Sequence, residues 1–416
     1  MSTESQPKTI ALIGALDTKG QEYRFLRQCI EAKGFRTLLI DFGVLDPPTI
    51  WPDITREQVA AAGGSSVRAL AAARDRGSAM AAMARGAAIL VPQLYAEGKF
   101  HGIIALGGGG GTSVASAAMR ALPYGVPKVI VSTVAGGDVS GYVDVKDIVM
   151  IPSVVDIAGL NRISRRVLAQ AAGAICGMVS AEVPPAAEKP LVAATMFGNT
   201  TPCVERARAI LEKAGYEVLV FHATGTGGRT MENLIREGLI AGVLDITTTE
   251  WADELVGGVL RAGPHRLEAA AECGVPAVIV PGCLDMVNFW APDTIPPQFR
   301  GRRFYQHNPN ITLMRTTPEE CARLGEIFAE KLNRSRGPVT VLIPKRGWSM
   351  IDAPGGPFWW PEADEAFCRS LKRSLRPDIP IIEIDANIND PIFAERCAQE
   401  LLRLMREPVE ERSTSS

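Results

Sequence analysis

The stretch that decides the fold is IIALGGGGGTSVASAAMRAL, residues 103–122. Four apolar residues lead into five successive glycines, Gly107 to Gly111, and Thr112 then begins a run of small and apolar residues. This order predicts a strand, a loop and a helix. Five glycines cost backbone entropy and add no side-chain packing. We therefore expect a ligand close to this backbone; the alternative is a strand-to-helix turn that needs tight packing.

The same strand–loop–helix–strand pattern occurs twice along the chain. TIALIGALDTKGQEYRFLRQCIEAKGFRTLLIDFG, residues 9–43, has its counterpart in PLVAATMFGNTTPCVERARAILEKAGYEVLVFHATG, residues 190–225. EGKFHGIIAL and GVPKVIVST are matched in the same order by EGLIAGVLDI and GVPAVIVPG. Three matched segments in one order indicate an internal duplication.

Each half is predicted to be an α/β domain. The strands are continuous apolar runs, which suit a parallel sheet covered on both faces, and right-handed connections then give a doubly wound sheet. The fold class is two tandem Rossmann-like doubly wound parallel-sheet domains related by internal duplication. We place the N-terminal domain at residues 1–182, the C-terminal domain at 183–406 and a disordered tail at 407–416. The linker is AEVPPAAEKP, and the first half carries extra length at residues 45–98.

Composition excludes several classes of protein. The chain has 416 residues, of which 46% are hydrophobic and 22% charged, and its net charge is −2. Nothing in this balance points to nucleic acid or to a membrane surface. The N-terminus lacks the pattern of a secretory signal, and the eight cysteines are scattered, as in a cytoplasmic protein with reduced thiols.

Candidate site residues follow the apolar strands, because ligands of open α/β sheets bind at the carboxyl ends of the strands. Most of these residues are Gly, Thr, Ser, Asn or Asp, which supply N–H groups and hydroxyls for phosphate or carboxylate. The predicted cofactor-binding residues are Asp17, Thr18, Lys19, Gly107, Gly108, Gly109, Gly110, Gly111, Thr112, Ser132, Thr133, Gly136, Asp138, Asn199, Thr200, Thr224, Gly225, Gly227, Gly228 and Arg229.

The first glycine loop is predicted to wrap an anion at the positive end of the following helix. It is not a P-loop, because no Gly-Lys-Ser/Thr follows. Lys19 is placed to meet a phosphate and Asp17 to hold Mg²⁺ or a ribose hydroxyl, unless the two form a solvated pair. A second glycine-rich loop lies in FHATGTGGRTME, residues 221–232. There Arg229 offers a counter-charge to phosphate, and the alternative is a flexible loop with an ordinary cap.

Three residues are predicted to be catalytic: His307, Glu250 and Lys19. His307 lies among arginines and suits proton transfer near neutral pH. Glu250 follows three threonines that occupy, in the second half, the position of the first glycines; the alternative is a helix cap. No two histidines have metal-ligand spacing, so no zinc site is expected. The loop around Trp359 and Trp360 is interpreted either as a clasp on the core or as a lid or dimer contact.

Four segments together resemble a known family. IALIGALDTKGQEYRFLRQCIEAKGF, IIALGGGGGTSVASAAMRALPYGVPKVIVST, FHATGTGGRTME and PKRGWSMIDAPGGPFWWPEAD are similar to the ATP-binding family named after the N-terminal domain of the tomato mosaic virus resistance protein. The similarity runs over residues 8–402, and its microbial members are largely uncharacterised. The resemblance implies two Rossmann-like subdomains, ATP as ligand, with Mg²⁺ as a candidate, and a homodimer or higher homo-oligomer.

Three functions are compatible with these features. The favoured one is an enzyme of small-molecule metabolism that binds ATP at the glycine loop and an unknown substrate in a cleft between the halves. The second is a nucleotide-responsive regulatory protein without turnover. In the third, the loops bind the carboxylate or sugar phosphate of a substrate. Turnover separates the first from the second, and competition between ATP and a phosphorylated metabolite would support the third.

Overall fold

The computed structural model describes residues 7–406, and the predicted tail at 407–416 lies outside that range. The chain forms two compact units, one ending at Pro185 and the other beginning at Ala186. The predicted boundary fell between residues 182 and 183.

The first unit alternates strands and helices. Its strands are β1 Thr9–Gly14, β2 Arg36–Asp41, β3 Gly102–Gly107, β4 Lys128–Ser132 and β5 Val149–Pro152, and its helices are α1 Leu16–Glu31, α2 Arg56–Ala62, α3 Val67–Ala73, α4 Arg76–Ala96, α5 Gly109–Arg120, α6 Ser140–Val143 and α7 Arg162–Ser180.

The sheet of the first unit is parallel throughout, with strand order β2-β1-β3-β4-β5. Alternate strand residues face two different cores. Ile13, Ile103 and Ile130 pack with α4 and α5 on one face, and Leu12 and Ile104 belong to the core of α1 and α7 on the other. Both faces are thus covered, which explains why the strands are continuous apolar runs.

The second unit carries two sheets. Its strands are β6 Leu191–Met196, β7 Glu217–His222, β8 Ile240–Thr247, β9 Ala277–Gly282, β10 Met286–Phe289, β11 Phe304–Asn308, β12 Ile311–Arg315, β13 Val339–Pro344 and β14 Ile381–Ile384, and its helices are α8 Thr201–Lys213, α9 Thr226–Arg236, α10 Glu250–Val256, α11 Ala269–Cys273, α12 Pro318–Leu332, α13 Pro361–Ser374 and α14 Pro391–Arg406.

The larger sheet of the second unit is parallel, with order β14-β13-β9-β8-β6-β7. Residues on its two faces again belong to separate cores, one with α9, α12 and α13 and the other with α8 and α14. The smaller sheet is antiparallel, with order β10-β12-β11. The prediction of an α/β protein with parallel sheets is confirmed, and the sheets are consistent with Rossmann-like domains.

Local sequence signals explain where several helices begin and end. Thr55, Asn161 and Thr317 each cap a helix in a capping box with the residue three positions on. Gly34 and Gly215 follow α1 and α8 with φ of +86° and +97°, a conformation that favours glycine.

The topology of the first unit fixes where a ligand crevice opens. The chain leaves β1 to one side for β2 and to the other side for β3, so the strand order reverses between β1 and β3. The helix after β1 and the helix after β3 lie on opposite faces of the sheet. Open α/β sheets bind ligands at such a reversal, beyond the carboxyl ends of the strands. The glycine loop follows β3 at this position.

Within residues 7–406 no helix is long and apolar enough to cross a bilayer.

Candidate functional site

A cavity of about 640 Å³ lies in the first unit, next to the residues that follow β1, β2 and β3. This volume is within the range of small-molecule sites. Its wall combines the glycine loop, charged groups and apolar side chains. The lining residues include Asp17, Thr18, Lys19, Phe42, Val44, Leu45, Leu70, Arg74, Asp75, Arg76, Met80, Gly107, Gly108, Gly109, Gly110, Gly111 and Asp156.

The glycine loop forms the start of α5. Gly108 is the N-cap residue, and it contributes no side-chain hydrogen bond to the first turn. The first N–H groups of any α-helix have no partner inside the helix. Together with the helix dipole, these N–H groups make the start of α5 suitable for a negatively charged group.

The packing around the loop does not require glycine at positions 108–111. None of the four has a φ in the left-handed region. A Cβ atom added at Gly108, Gly109 or Gly111 would lie no closer than 3.6 Å, 3.7 Å or 3.8 Å to the nearest atom outside its neighbours. At Gly110 the nearest atom, 3.4 Å away, is the end of the flexible Arg76 side chain. Alanine would therefore fit at all four positions, and the protein's own fold leaves these glycines unexplained.

Charged side chains surround this loop. Lys19 belongs to α1 at a residue with non-helical φ of −124°, and its Nζ donates a hydrogen bond to the carbonyl of Ile157. Asp17 accepts through Oδ2 from the N–H of Leu45 at 3.0 Å. Arg74 and Arg76 also line the cavity and are exposed. Among residues 7–406, no group of three or more His, Cys, Asp or Glu is arranged to hold a metal ion.

Two further predicted residues support the loop from behind. The Thr112 and Ser132 side chains are buried, and their hydroxyl oxygens are 2.6 Å apart. Thr112 also donates to the carbonyl of Gly108 at 2.9 Å, and Ser132 Oγ accepts from the N–H of Val134. These two side chains fix the shape of the loop and have no face on the cavity wall.

The remaining predicted residues of this unit lie beyond β4. Thr133 and Gly136 line a separate depression. Asp138 is exposed, and hydrogen bonds from the Ser140 hydroxyl and from the Ser140 N–H, the latter at 2.9 Å, lower the pKa of its carboxyl group.

The second glycine-rich loop, in the other unit, already holds a carboxylate of the chain. Glu250 Oε1 accepts from the N–H of Gly225 at 2.7 Å and of Gly228 at 3.1 Å. Its Oε2 accepts from Nε of the buried Arg266 at 2.7 Å. Glu250 itself is only 1% exposed. The two N–H groups predicted to bind a nucleotide and the carboxylate predicted to be catalytic therefore contact one another.

Packing accounts for the glycines of this second loop. Gly225 has a φ of +85°. A Cβ at Gly227 would be 1.9 Å from the carbonyl oxygen of His222, and one at Gly228 would be 2.2 Å from Glu250 Oε2. No ligand is needed to explain why glycine occupies these positions.

The other predicted residues of the second unit are spread over several elements. Asn199 is buried and donates to the sulfur of Met286, and Thr200 Oγ1 lies 2.8 Å from Thr247 Oγ1. Three further residues lie at or near the surface. Thr224 donates through Oγ1 to the carbonyl of His222, Arg229 is exposed on α9, and His307 is exposed on β11.

The tryptophan loop is attached to the antiparallel sheet. Arg315 on β12 donates to the carbonyl of Phe358 at 2.8 Å, and the Arg303 guanidinium lies 4.9 Å from the centre of the Trp360 ring. Arg303 also donates to the carbonyl of Trp359. These contacts support the interpretation as a clasp within this unit.

Several cavity residues were missed from the sequence. Leu70 lies in α3, Arg74 directly follows that helix, Arg76 and Met80 lie in the first turns of α4, and Asp156 follows β5. The first four lie in residues 45–98, the extra length that the second half lacks. The presence of this extra segment in only one of two similar halves is the sequence feature that could have indicated its role in the site.

Comparison with known proteins places both units in one family. Residues 8–184 match the family described as "Uncharacterised protein family (UPF0261) N-terminal domain", and residues 189–405 match its C-terminal domain. A "UPF0261 protein" of Clostridium tetani is 52% identical over 400 residues, covering 96% of this chain and 99% of that protein. "UPF0261 protein RA0729" of Rhizobium meliloti is 51% identical, covering 93% and 97%.

A plant protein and a solved structure are also similar. "ToMV resistance protein Tm-1(GCR237)" of Solanum lycopersicum is 39% identical over 426 residues, covering 97% of this chain and 56% of that protein. The structure of UDP-N-acetylglucosamine 2-epimerase from Rickettsia bellii aligns over 97% of both chains at 12% identity with a TM-score of 0.24. At that TM-score the likeness carries no argument about this chain.

Proposed function

This chain belongs to the UPF0261 family, and we propose that its first unit binds ATP or a closely related nucleotide as part of a small-molecule enzyme. The phosphates would lie on the glycine loop, Gly108 to Gly111. The observation that carries this proposal is the room for a Cβ at all four positions. A phosphate held by backbone N–H groups is a physical reason for the absence of side chains.

The charges around the loop support a polyphosphate ligand. Lys19, Arg74 and Arg76 line the cavity and would neutralise phosphate oxygens. Asp17 would face Mg²⁺ or a ribose hydroxyl, and the metal would supply further charge neutralisation when bound.

The same cavity offers an apolar wall for a base. Phe42, Val44, Leu45, Leu70 and Met80 line it. An adenine ring packed there would leave the triphosphate to reach the glycine loop. The position at the strand-order reversal between β1 and β3 is also where nucleotides bind in open α/β sheets.

We also infer that the two units arose by duplication. The strand order β7-β6-β8-β9 of the second unit repeats the order β2-β1-β3-β4 of the first, strand for strand along the chain. After duplication, the Glu250 carboxylate would have taken up the N–H groups of the second glycine-rich loop, and only the first unit would have kept an open loop for the ligand. A cytoplasmic homodimer stays a prediction.

Calorimetric titration of ATP, with and without Mg²⁺, into the full chain and into Lys19→Met tests the nucleotide proposal. Loss of one charge-assisted contact to phosphate is expected to weaken binding about 10- to 100-fold. The matched control is Lys33→Met, an exposed lysine just beyond the end of α1 and outside the cavity wall. Absence of ATP binding to the wild type, or equal affinities of the two variants, would contradict the proposal.

A further inference from the structure

A second depression, of about 530 Å³, lies beside the glycine loop at the carboxyl ends of β4 and β5. It shares Asp156 with the larger cavity. Thr133, also in its wall, donates its N–H to the carbonyl of Gly107, and Thr133 Oγ1 lies 3.6 Å from where a Cβ of Gly108 would stand. The depression and the glycine loop therefore lie directly side by side.

The rim of the depression contains a strained turn. Val154 has a φ of +66°, which is an outlier for a β-branched residue. The turn is held by the N–H of Val155, which donates to the carbonyl of Ser153 at 2.7 Å, and by Ser153 Oγ, which donates to the carbonyl of Val155. Such strain persists where surrounding structure imposes it, and it concentrates at ligand sites.

The chemistry of the wall selects one kind of ligand. The lining includes the Thr133 hydroxyl and the Asp156 carboxylate but no Lys, Arg or His. Asp156 is exposed, and the N–H of Ile157 donates to its Oδ1 at 2.8 Å. No cation lines the depression on this side of Asp156, although Lys19 shares the larger cavity with it. A carboxylate in such a wall repels anions and accepts hydrogen bonds from hydroxyl groups.

From this arrangement we infer that the depression binds an uncharged polyhydroxyl compound next to the nucleotide phosphates, with Asp156 accepting a hydrogen bond from one of its hydroxyl groups. The position of this compound next to a nucleotide rests on the proposed function, whereas its binding to the depression can be measured without ATP. If the inference holds, a carboxylate or a sugar phosphate does not bind in this depression. The second ligand of the proposed enzyme then belongs to the class of uncharged polyhydroxyl compounds.

The test compares matched probes on the full chain by saturation-transfer NMR, with and without ATP. The uncharged probes are glycerol, D-xylitol and D-glucose, and their charged counterparts are D-glycerate, D-xylonate and D-glucose 6-phosphate. At least one uncharged probe is expected to bind the wild type more tightly than its counterpart. Asp156→Asn is expected to lower the ratio of the affinity for the uncharged probe to that for its charged counterpart about threefold or more, because a neutral amide no longer repels the anion.

Gly136→Leu tests the location of the probe. Gly136 lines the depression and a Cβ there would meet nothing within 4 Å, so leucine is expected to take up space in the depression. It is expected to weaken probe binding about tenfold or more. The control is Gly141→Leu, where a Cβ also meets nothing and the residue lines neither cavity. It should bind as the wild type does.

The inference would be overturned if no probe binds, if a charged probe binds better than its uncharged counterpart, or if Gly136→Leu binds the probe as the control does. Loss of ATP binding in Gly136→Leu alone would place the depression inside the nucleotide site and would also overturn it. Failure of ATP to bind the wild type while an uncharged probe still binds would contradict only the proposed nucleotide function.

Discussion

Gly109 and Gly227 both lie in the first turn of a helix that follows a parallel strand, but their surroundings differ. A Cβ at Gly109 would have its nearest contact at 3.7 Å, to the Tyr142 hydroxyl. A Cβ at Gly227 would stand 1.9 Å from the carbonyl oxygen of His222. Glycine at position 227 is thus required by the fold, whereas at position 109 the fold leaves space.

We predict opposite stability effects for alanine at these two positions. Gly227→Ala should lower the free energy of unfolding by about 3 kcal/mol, because a backbone carbonyl cannot move away from the new methyl group. Gly109→Ala should leave it unchanged or raise it by up to about 1 kcal/mol, since alanine loses less backbone entropy on folding. Urea unfolding of both variants measures the difference. Equal destabilisation would mean that packing explains both loops.

At the scale of elements, a buried cluster joins several parts of the second unit. Arg315 on β12 forms an ion pair at 2.6 Å with Asp364 of α13 and lies 3.7 Å from Asp352. Asp285, between β9 and β10, accepts from Ser349 Oγ, but its Oδ1 and Oδ1 of Asp352 are buried without a hydrogen-bond partner. Burial, and then the neighbouring Asp352, raise the pKa of Asp285 to about 7.

This cluster predicts a pH dependence of stability. The unfolded chain releases the Asp285 proton near pH 4, whereas the native state keeps it to about pH 7. Across that interval the native state binds more protons, so the contribution of this group to stability falls as pH rises, and it is constant outside the interval. Asp285→Asn should therefore be more stable, relative to the wild type, at pH 8 than at pH 5. Urea unfolding at both pH values tests this; an equal difference at both would contradict it.

The sequence predicts elements better than it predicts the contacts between them. Apolar runs at residues 10–13, 38–40, 103–106 and 129–131 lie inside β1, β2, β3 and β4, because a strand buried on both faces needs such a run. The same reasoning placed Gly107 to Gly111 and Lys19 on the cavity wall. It did not show that Glu250 closes the second loop, because that contact depends on how far α10 lies from α9 in space.

The whole molecule consists of two units joined by an exposed bridge. Residues 181–190 form neither helix nor strand, and all of them are exposed. Each unit has its own parallel sheet and its own cores on both faces. Connections of this kind are preferred sites of proteolysis.

We predict that a glutamyl endopeptidase first cuts after Glu182 or Glu188, the two glutamates of the bridge. The fragment that begins at the N-terminus should retain ATP binding, because all residues of the larger cavity precede the bridge. Mass spectrometry identifies the fragments, and calorimetry on each measures binding. A first cut elsewhere would contradict the prediction about the bridge. Loss of binding in both fragments would show that residues of the second unit are required.

If Gly108 to Gly111 hold a phosphate, a side chain at position 109 should block it, and ATP titration of Gly109→Val measures this effect. The variant is expected to unfold at nearly the same urea concentration as the wild type but to bind ATP about 100-fold or more weakly. Gly177→Val is the control, because a Cβ there meets nothing within 4 Å and α7 is outside the cavity wall. The control should bind as the wild type does. Equal ATP affinity of wild type, control and Gly109→Val would contradict the account, because a nucleotide bound elsewhere would not sense the added side chain.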